Sequence, residues 1–315
     1  MSKYRSNLPQ LSGRLFLTDS GLETTLVFHE GIDLPFFAAW KLMQTSEGRI
    51  TLRRYFDRHI DIARKQAMGF ILDTPTWRAS ADWARRMDVP DDELARINQM
   101  SVSLLEEIRD EHETAAMPMV INGVIGPRGD GYHPDSIMSA AEAQEYHATQ
   151  IRTFANSAAD MVSAITMTNA SEAIGITQAA RQAGIPVVVS FTVETNGALP
   201  TGQALADAIS ETDAATASGP AYYMVNCAHP THFQDKLEAG SDWMSRVHGI
   251  RANASKRSHA ELDEATDLDD GNPVELGHDY AAIQRGHPHV TVFGGCCGTD
   301  HRHIEQISGA VRHAA

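Results

Sequence analysis

What constrains this chain most is a rhythm: short apolar runs recur along its length, and longer amphipathic segments fill the spaces between them. The runs are Arg14 to Asp19, Gly69 to Asp73, Met119 to Val124, Met161 to Met167, Pro186 to Val193, Ala221 to Asn226, Val247 to Ala252 and Val290 to Gly294. Each is short and largely apolar, as a strand buried on both faces must be. Helical patterns lie near 47–66, 91–113, 140–157, 171–183, 202–217, 231–239, 275–285 and 300–313. A strand followed by a helix that returns to a parallel neighbour is the βα unit. Eight alternations in the chain predict a closed α/β architecture, the (β/α)8 TIM barrel. An open doubly wound sheet usually has fewer strands and a glycine-rich phosphate loop, and neither GxGxxG nor GxxxxGK[ST] follows any run. No low-complexity linker divides the chain, so one barrel domain over residues 1–315 is expected. In the helix near 171, Ser171 is the expected N-cap and Gly184 the expected stop.

Charge narrows the partners. There are 26 Lys+Arg against 41 Asp+Glu, a formal charge of −15, so a nucleic-acid or anionic-membrane binder, which needs a basic face, is not expected. Small-molecule partners are expected instead. The N-terminus lacks the apolar core of a signal peptide, and no run approaches the ~20 apolar residues of a membrane span. A cytoplasmic location is expected. The acidic segment Ser255 to Gly271 reads as a solvated loop, since the EF-hand spacing is missing.

The three cysteines carry the chemical signal. Cys296 and Cys297 lie in Gly294-Gly295-Cys296-Cys297-Gly298-Thr299 after the eighth run, and Cys227 follows the sixth. In a barrel both places fall on the C-terminal rim, where active sites are built. Adjacent residues on a strand point to opposite sides. Cys296 and Cys297 can therefore face one ion only across a sharp turn, which Gly295 and Gly298 permit. Three thiolates suit Zn²⁺ and leave its fourth position for water or substrate. The centre would carry a net charge of −1, a poor Lewis acid for a carbonyl but suited to holding a substrate thiol as thiolate. Sulfur alkylation is the expected chemistry. The competing reading, in which cysteine is a small buried hydrophobe, does not account for the flanking glycines. His229 and His232 are expected at the rim rather than as ligands, and His301 and His303 on the surface beside an N-cap at Thr299 or Asp300.

With these residues in view, the chain resembles the homocysteine S-methyltransferase family of zinc-dependent barrels, from Leu17 almost to the C-terminus. The resemblance implies that Cys227, Cys296 and Cys297 are the Zn²⁺ ligands. The family's Asp-Gly-Gly turn is matched by Asp19-Ser20-Gly21, with serine in place of a glycine. It implies that Asp19 meets a substrate ammonium and that the N–H groups of Ser20 and Gly21 meet a carboxylate. Thr74, in Asp73-Thr74-Pro75-Thr76-Trp77, is the matching candidate for a further carboxylate contact. Many relatives carry Glu-Thr at the end of the fourth strand, the Glu binding the substrate amino group. This chain has Thr166-Met167 there, and Glu194 is the candidate replacement.

The expected reaction is in-line transfer of a methyl group from a sulfonium or quaternary ammonium donor to a thiol, most readily homocysteine, giving methionine. A different thiol or a selenol is an alternative acceptor. Trp40 and Trp77 are candidate cation–π partners of the donor, although packing in the core or at the rim is the preferred reading of each. A zinc hydrolase would use His or Asp ligands and a carboxylate base, and a non-catalytic zinc-binding barrel is the remaining class.

Overall fold

The computed structural model describes residues 2–132 and 137–314. Its centre is a closed barrel of parallel strands: β1 (Phe16–Leu17), β2 (Gly69–Asp73), β3 (Met119–Ile125), β4 (Met161–Met167), β5 (Val187–Phe191), β6 (Tyr222–Asn226), β7 (Val247–Ala252) and β8 (Val292–Gly295). Phe16 closes the ring, opposite Gly69 on one side and Val292 on the other. Major helices pack outside, among them Ser46–Gln66, Asp91–His112, Ala140–Ala155, Ala170–Ala183 and His301–Ala314. The expected TIM barrel is therefore the observed fold. No helix among the described residues is long and apolar enough to cross a membrane.

The differences are local. β1 is only two residues long, although the Thr18 N–H still donates to the Phe293 carbonyl at 2.8 Å. The N-cap of Ala170–Ala183 is Asn169, not Ser171: its side chain accepts from the Glu172 N–H at 2.9 Å. Gly184 ends that helix with φ +70°, as expected. The segment near 231–239 forms a short helix, Pro230–Phe233, and a 3-10 turn, Gln234–Lys236. Nor is the acidic stretch simply a solvated loop. It contains the helix His259–Asp263, started by a capping box between Ser258 and Glu261.

The barrel interior is layered. Its floor is apolar, with Phe16, Ile71, Val120, Met161, Val188 and Tyr222 in one cluster that Leu8 seals from below. Toward the C-terminal ends of the strands it becomes polar. Asn122 donates to Asp73 at 2.7 Å, Ser163 donates to Asn122 at 3.0 Å, and Ser190 donates to Asn226 at 2.6 Å. Side chains thus fill the barrel, which leaves the space above the polar layer for a ligand.

One tie joins β1 to the outer helix Ser46–Gln66. The His59 Nδ1 meets the Tyr55 carbonyl at 2.8 Å, so Nδ1 carries the hydrogen. Nε2 then accepts from the Ser20 hydroxyl, also at 2.8 Å. Burial pushes His59 down to about 4 from its ordinary value of 6.5. Unfolding releases a ring that binds a proton more readily, so this group's stabilisation is present above pH 6.5 and is lost as the pH falls toward 4. Between those limits the wild type should lose on the order of 3 kcal/mol more stability than His59→Gln, as read from urea unfolding against pH. Parallel pH profiles would contradict this assignment.

At the opposite end, Asp160 fastens the N-terminal segment. It accepts from the N–H groups of Lys3 and Tyr4 at 2.7 Å and from Ile121 and Arg109 at 2.9 Å. Removing the carboxylate strands the buried Arg109 charge. Asp160→Ala should therefore cost about 3–5 kcal/mol in urea unfolding and release the Lys3 and Tyr4 amides to rapid hydrogen exchange. Undiminished protection would show that the anchor lies elsewhere.

Candidate metal and substrate site

The rim places the cysteines together. Cys227 follows β6, and Cys296 and Cys297 follow β8, with β7 between them. Cys227 donates its N–H to the Arg251 carbonyl at 3.1 Å, and Cys296 donates to the next carbonyl, Ala252, at 2.9 Å. The two cysteines hang from consecutive carbonyls of one strand, and their Cα atoms are 5.4 Å apart. Their sulfurs form a disulfide, and the Cys297 sulfur lies 3.9 Å from that of Cys227. All three sulfurs fall within 4.8 Å of one another, and among the described residues neither His nor carboxylate joins them.

The two glycines act differently. Gly298 has φ +79°, the left-handed conformation the turn requires. Gly295 is needed for space instead: a Cβ there would lie 2.8 Å from the Thr299 Cβ. Thr299 in turn donates its hydroxyl to the Cys296 carbonyl at 2.7 Å, closing the turn that presents Cys297.

The cavity above the polar layer is lined by Asp19 to Thr24, Asp73 to Pro75, Trp77, Val124, Tyr132, Ile165, Thr166, Arg251, Gly295 and the three cysteines. Most candidate residues reach it, but several are already engaged. Asp19 and Asp73 both pair with the Arg251 guanidinium, Asp19 at 2.5 Å. Burial pushes the Asp19 carboxyl up to about 7 against the pull of Arg251, and the facing Asp73 adds to the rise. The Ser20 side chain turns away to His59. The Gly21 N–H, a candidate carboxylate donor, is taken by the Thr299 carbonyl at 3.2 Å and hydroxyl at 3.1 Å. The Thr74 hydroxyl meets Thr76 at 2.6 Å and accepts from the Val124 N–H at 2.9 Å.

Glu194 is not among the lining residues. It binds the His259 Nδ1 at 3.0 Å, and the His259 Nε2 donates to the Cys227 carbonyl at 2.6 Å. The same ring stacks on Tyr132 with centroids 4.0 Å apart, and the Tyr132 hydroxyl meets the Cys297 sulfur at 3.1 Å. Glu194 thus acts through His259 on the backbone of one cysteine and the aromatic cover of another. Burial pushes the Cys297 thiol up, partly countered by its bond to Tyr132.

Of the other candidates, Trp40 is fully buried and donates to the Arg78 carbonyl at 3.0 Å, so it belongs to the core. Trp77 lines the cavity. Arg78 stacks on Trp77 and Trp83 and donates to the Gly129 carbonyl instead of pointing into the cavity. His229 caps the short helix Pro230–Phe233, and His232 binds the Lys256 carbonyl. His301 is exposed, but His303 is buried against Asp300 and the Asp270 carbonyl, which corrects its expected surface position.

Three residues were not foreseen from sequence: Glu23, Tyr132 and Arg251. An arginine inside a strand of a closed barrel was the available signal for Arg251, since its charge requires buried partners. Glu23 lies in the three-residue helical turn Leu22–Thr24 and Tyr132 in a loop, and neither is long enough for periodicity to carry directional information.

The homocysteine S-methyltransferase family model matches residues 16–311. Solved structures of the homocysteine methyltransferase MmuM from Escherichia coli share the fold at 18% identity. The oxidised form has a TM-score of 0.75, covering 96% of this chain and 97% of that one. The metallated form has a TM-score of 0.73, covering 95% and 96%. No curated protein sequence matches the chain. With the family pattern spanning the barrel from β1 into the last helix, the chain belongs to the homocysteine S-methyltransferase family and is a thiol methyltransferase.

Proposed function

We propose that this protein transfers a methyl group from a sulfonium or quaternary ammonium donor to homocysteine, yielding methionine, in a zinc-dependent reaction. The observation that carries the reading is the convergence of Cys227, Cys296 and Cys297 on one cavity, with no other protein ligand in the group among the described residues. A soft three-sulfur donor set fits Zn²⁺ and provides no fourth ligand to close the site. When bound, zinc would supply a place at which the acceptor sulfur is held as a thiolate.

The protein's own residues supply position. Gly298 and Thr299 fix the turn that aims Cys297, and His259 holds the Cys227 carbonyl. Asp19, Ser20, Gly21 and Thr74 form the wall on which the acceptor's amino-acid portion would rest. Because Asp19 is shared with Arg251, its role in this proposal is to shape that wall together with its partner. Trp77 and Tyr132 offer aromatic surface to a cationic donor. Holding donor and acceptor in line is itself a large part of the acceleration. A three-thiol site also requires a reducing compartment, which is the basis for placing the protein in the cytoplasm.

With zinc and a phosphine reductant present, mass spectrometry should detect methionine formed from homocysteine and at least one of S-methylmethionine, S-adenosylmethionine or betaine. Cys297→Ser should lower this rate at least a hundredfold and reduce zinc retention below the wild-type value of about one ion per chain. Full activity of the serine variant, or of protein stripped of metal, would overturn the mechanism.

The disulfide gives a separate expectation. While Cys227 and Cys296 are joined, only Cys297 is a thiol. Zinc uptake should be negligible after oxidation and should recover to about one ion per chain on reduction, as measured by metal analysis. Equal zinc content in both states would rule out these sulfurs as the ligands.

A further inference from the structure

Among the described residues, three carboxylates line the cavity: Asp19, Glu23 and Asp73. Asp19 and Asp73 share the Arg251 guanidinium. Glu23 has no such partner: among the described residues it forms no ion pair within 4.0 Å, and it feels Arg78 and Arg251 only at longer range. Burial pushes its carboxyl up, while its own backbone N–H opposes the rise.

The chain holds Glu23 beside the sulfur cluster from both sides. Gly21 donates to Thr299, and Thr24 accepts from the Gly298 N–H at 3.0 Å. The short helical turn Leu22–Thr24 is therefore bonded to the turn that carries Cys297. The sulfur is close enough that the Glu23 charge raises the Cys297 thiol. Thr166, on the facing wall, presents only a hydroxyl, and that hydroxyl accepts from the Asn226 amide at 2.8 Å.

We propose that Glu23 is a specificity-determining residue, whose carboxylate binds the α-ammonium group of an amino-acid thiol held at the cysteine cluster. This rests on the methyltransferase reading above. The alternative occupant, the cationic centre of the donor, is disfavoured by the reaction itself. A sulfonium or quaternary ammonium loses its positive charge as the methyl leaves, so a carboxylate against it would stabilise the ground state more than the transition state. The ammonium of the acceptor keeps its charge throughout, and a fixed carboxylate orients it without opposing transfer.

The test is calorimetric titration of the reduced, zinc-loaded protein with homocysteine and with 4-mercaptobutanoate, which is homocysteine without its amino group. A charge-assisted contact predicts that the wild type prefers homocysteine by about tenfold to a hundredfold. Glu23→Gln should narrow that ratio to within about threefold, and Glu23→Asp, which keeps the charge, should retain part of it. Zinc content and the thermal midpoint of each variant establish that the site is intact.

A wild-type protein indifferent to the amino group would overturn the proposal, as would a ratio that survives in Glu23→Gln. A variant in which S-methylmethionine affinity falls while the acceptor ratio stays fixed would assign Glu23 to the donor and overturn it equally. Binding of neither thiol would instead count against the methyltransferase reading on which the proposal stands.

Discussion

The site depends on β7 acting as a ruler. β6 and β8 are not neighbours, yet both are hydrogen-bonded to β7, and closure of the barrel brings their ends to the same level. Cys227 and Cys296 then donate to consecutive β7 carbonyls, so their approach is fixed by backbone pairing before any metal or substrate arrives. Cys297 has no strand to set it. Its position comes from the left-handed Gly298 and from Thr299, which folds back onto the Cys296 carbonyl. Two cysteine positions are thus imposed by the sheet, and the third by a turn that only a small residue at each flank permits.

That arrangement carries backbone strain. Thr166 and Cys227 have φ of +67° and +54°, conformations unfavourable for residues with a side chain and rarest for a β-branched one. Such residues cost of order 1–3 kcal/mol each and persist where their surroundings over-determine them. Here Asn226 does much of that. Its side-chain oxygen accepts from the Thr166 N–H at 3.0 Å, and its amide donates to the Thr166 hydroxyl at 2.8 Å. The Cys227 carbonyl is held in turn by His259 and by the Asn253 amide at 3.0 Å. The register irregularity between Ala164 and Met167 lies at the same place, which ties the end of β4 to the cysteine on β6.

What the sequence disclosed follows from which interactions are periodic. Continuous apolar runs located all the barrel strands because a strand between helices and a filled interior has no solvent face. The cysteines were legible because glycines on a strand end have few purposes other than turning or close approach. The histidines were misjudged where polarity was taken for exposure: His303 is buried because Asp300 and the Asp270 carbonyl receive its ring nitrogens. Glu194 was assigned to the substrate from its place at the end of a strand run, and only the position of His259, sixty-five residues away, explains its side chain. Ser20 is similar. A serine where the family has glycine reads as a departure, but the hydroxyl is received by His59 on the packed outer helix.

The electrostatics of the cavity decide what kind of molecule it favours. Arg251 stands between Asp19 and Asp73, so this group of three carries one excess negative charge when both acids are ionised. Removing either acid would leave Arg251 with a single carboxylate partner, which makes the pair of carboxylates a structural requirement as well as a source of field. Glu23 adds a second negative charge that has no ion-pair partner among the described residues. Once the Cys227–Cys296 disulfide is reduced, the three sulfurs add more as they lose protons, and that accumulation opposes itself. A bound cation relieves it from one side. A substrate that brings positive charge with its sulfur relieves it from the other, while an uncharged thiol of the same size does not. The proposed preference for an amino-acid thiol therefore draws on the charges around the cavity, independently of how the fourth strand ends.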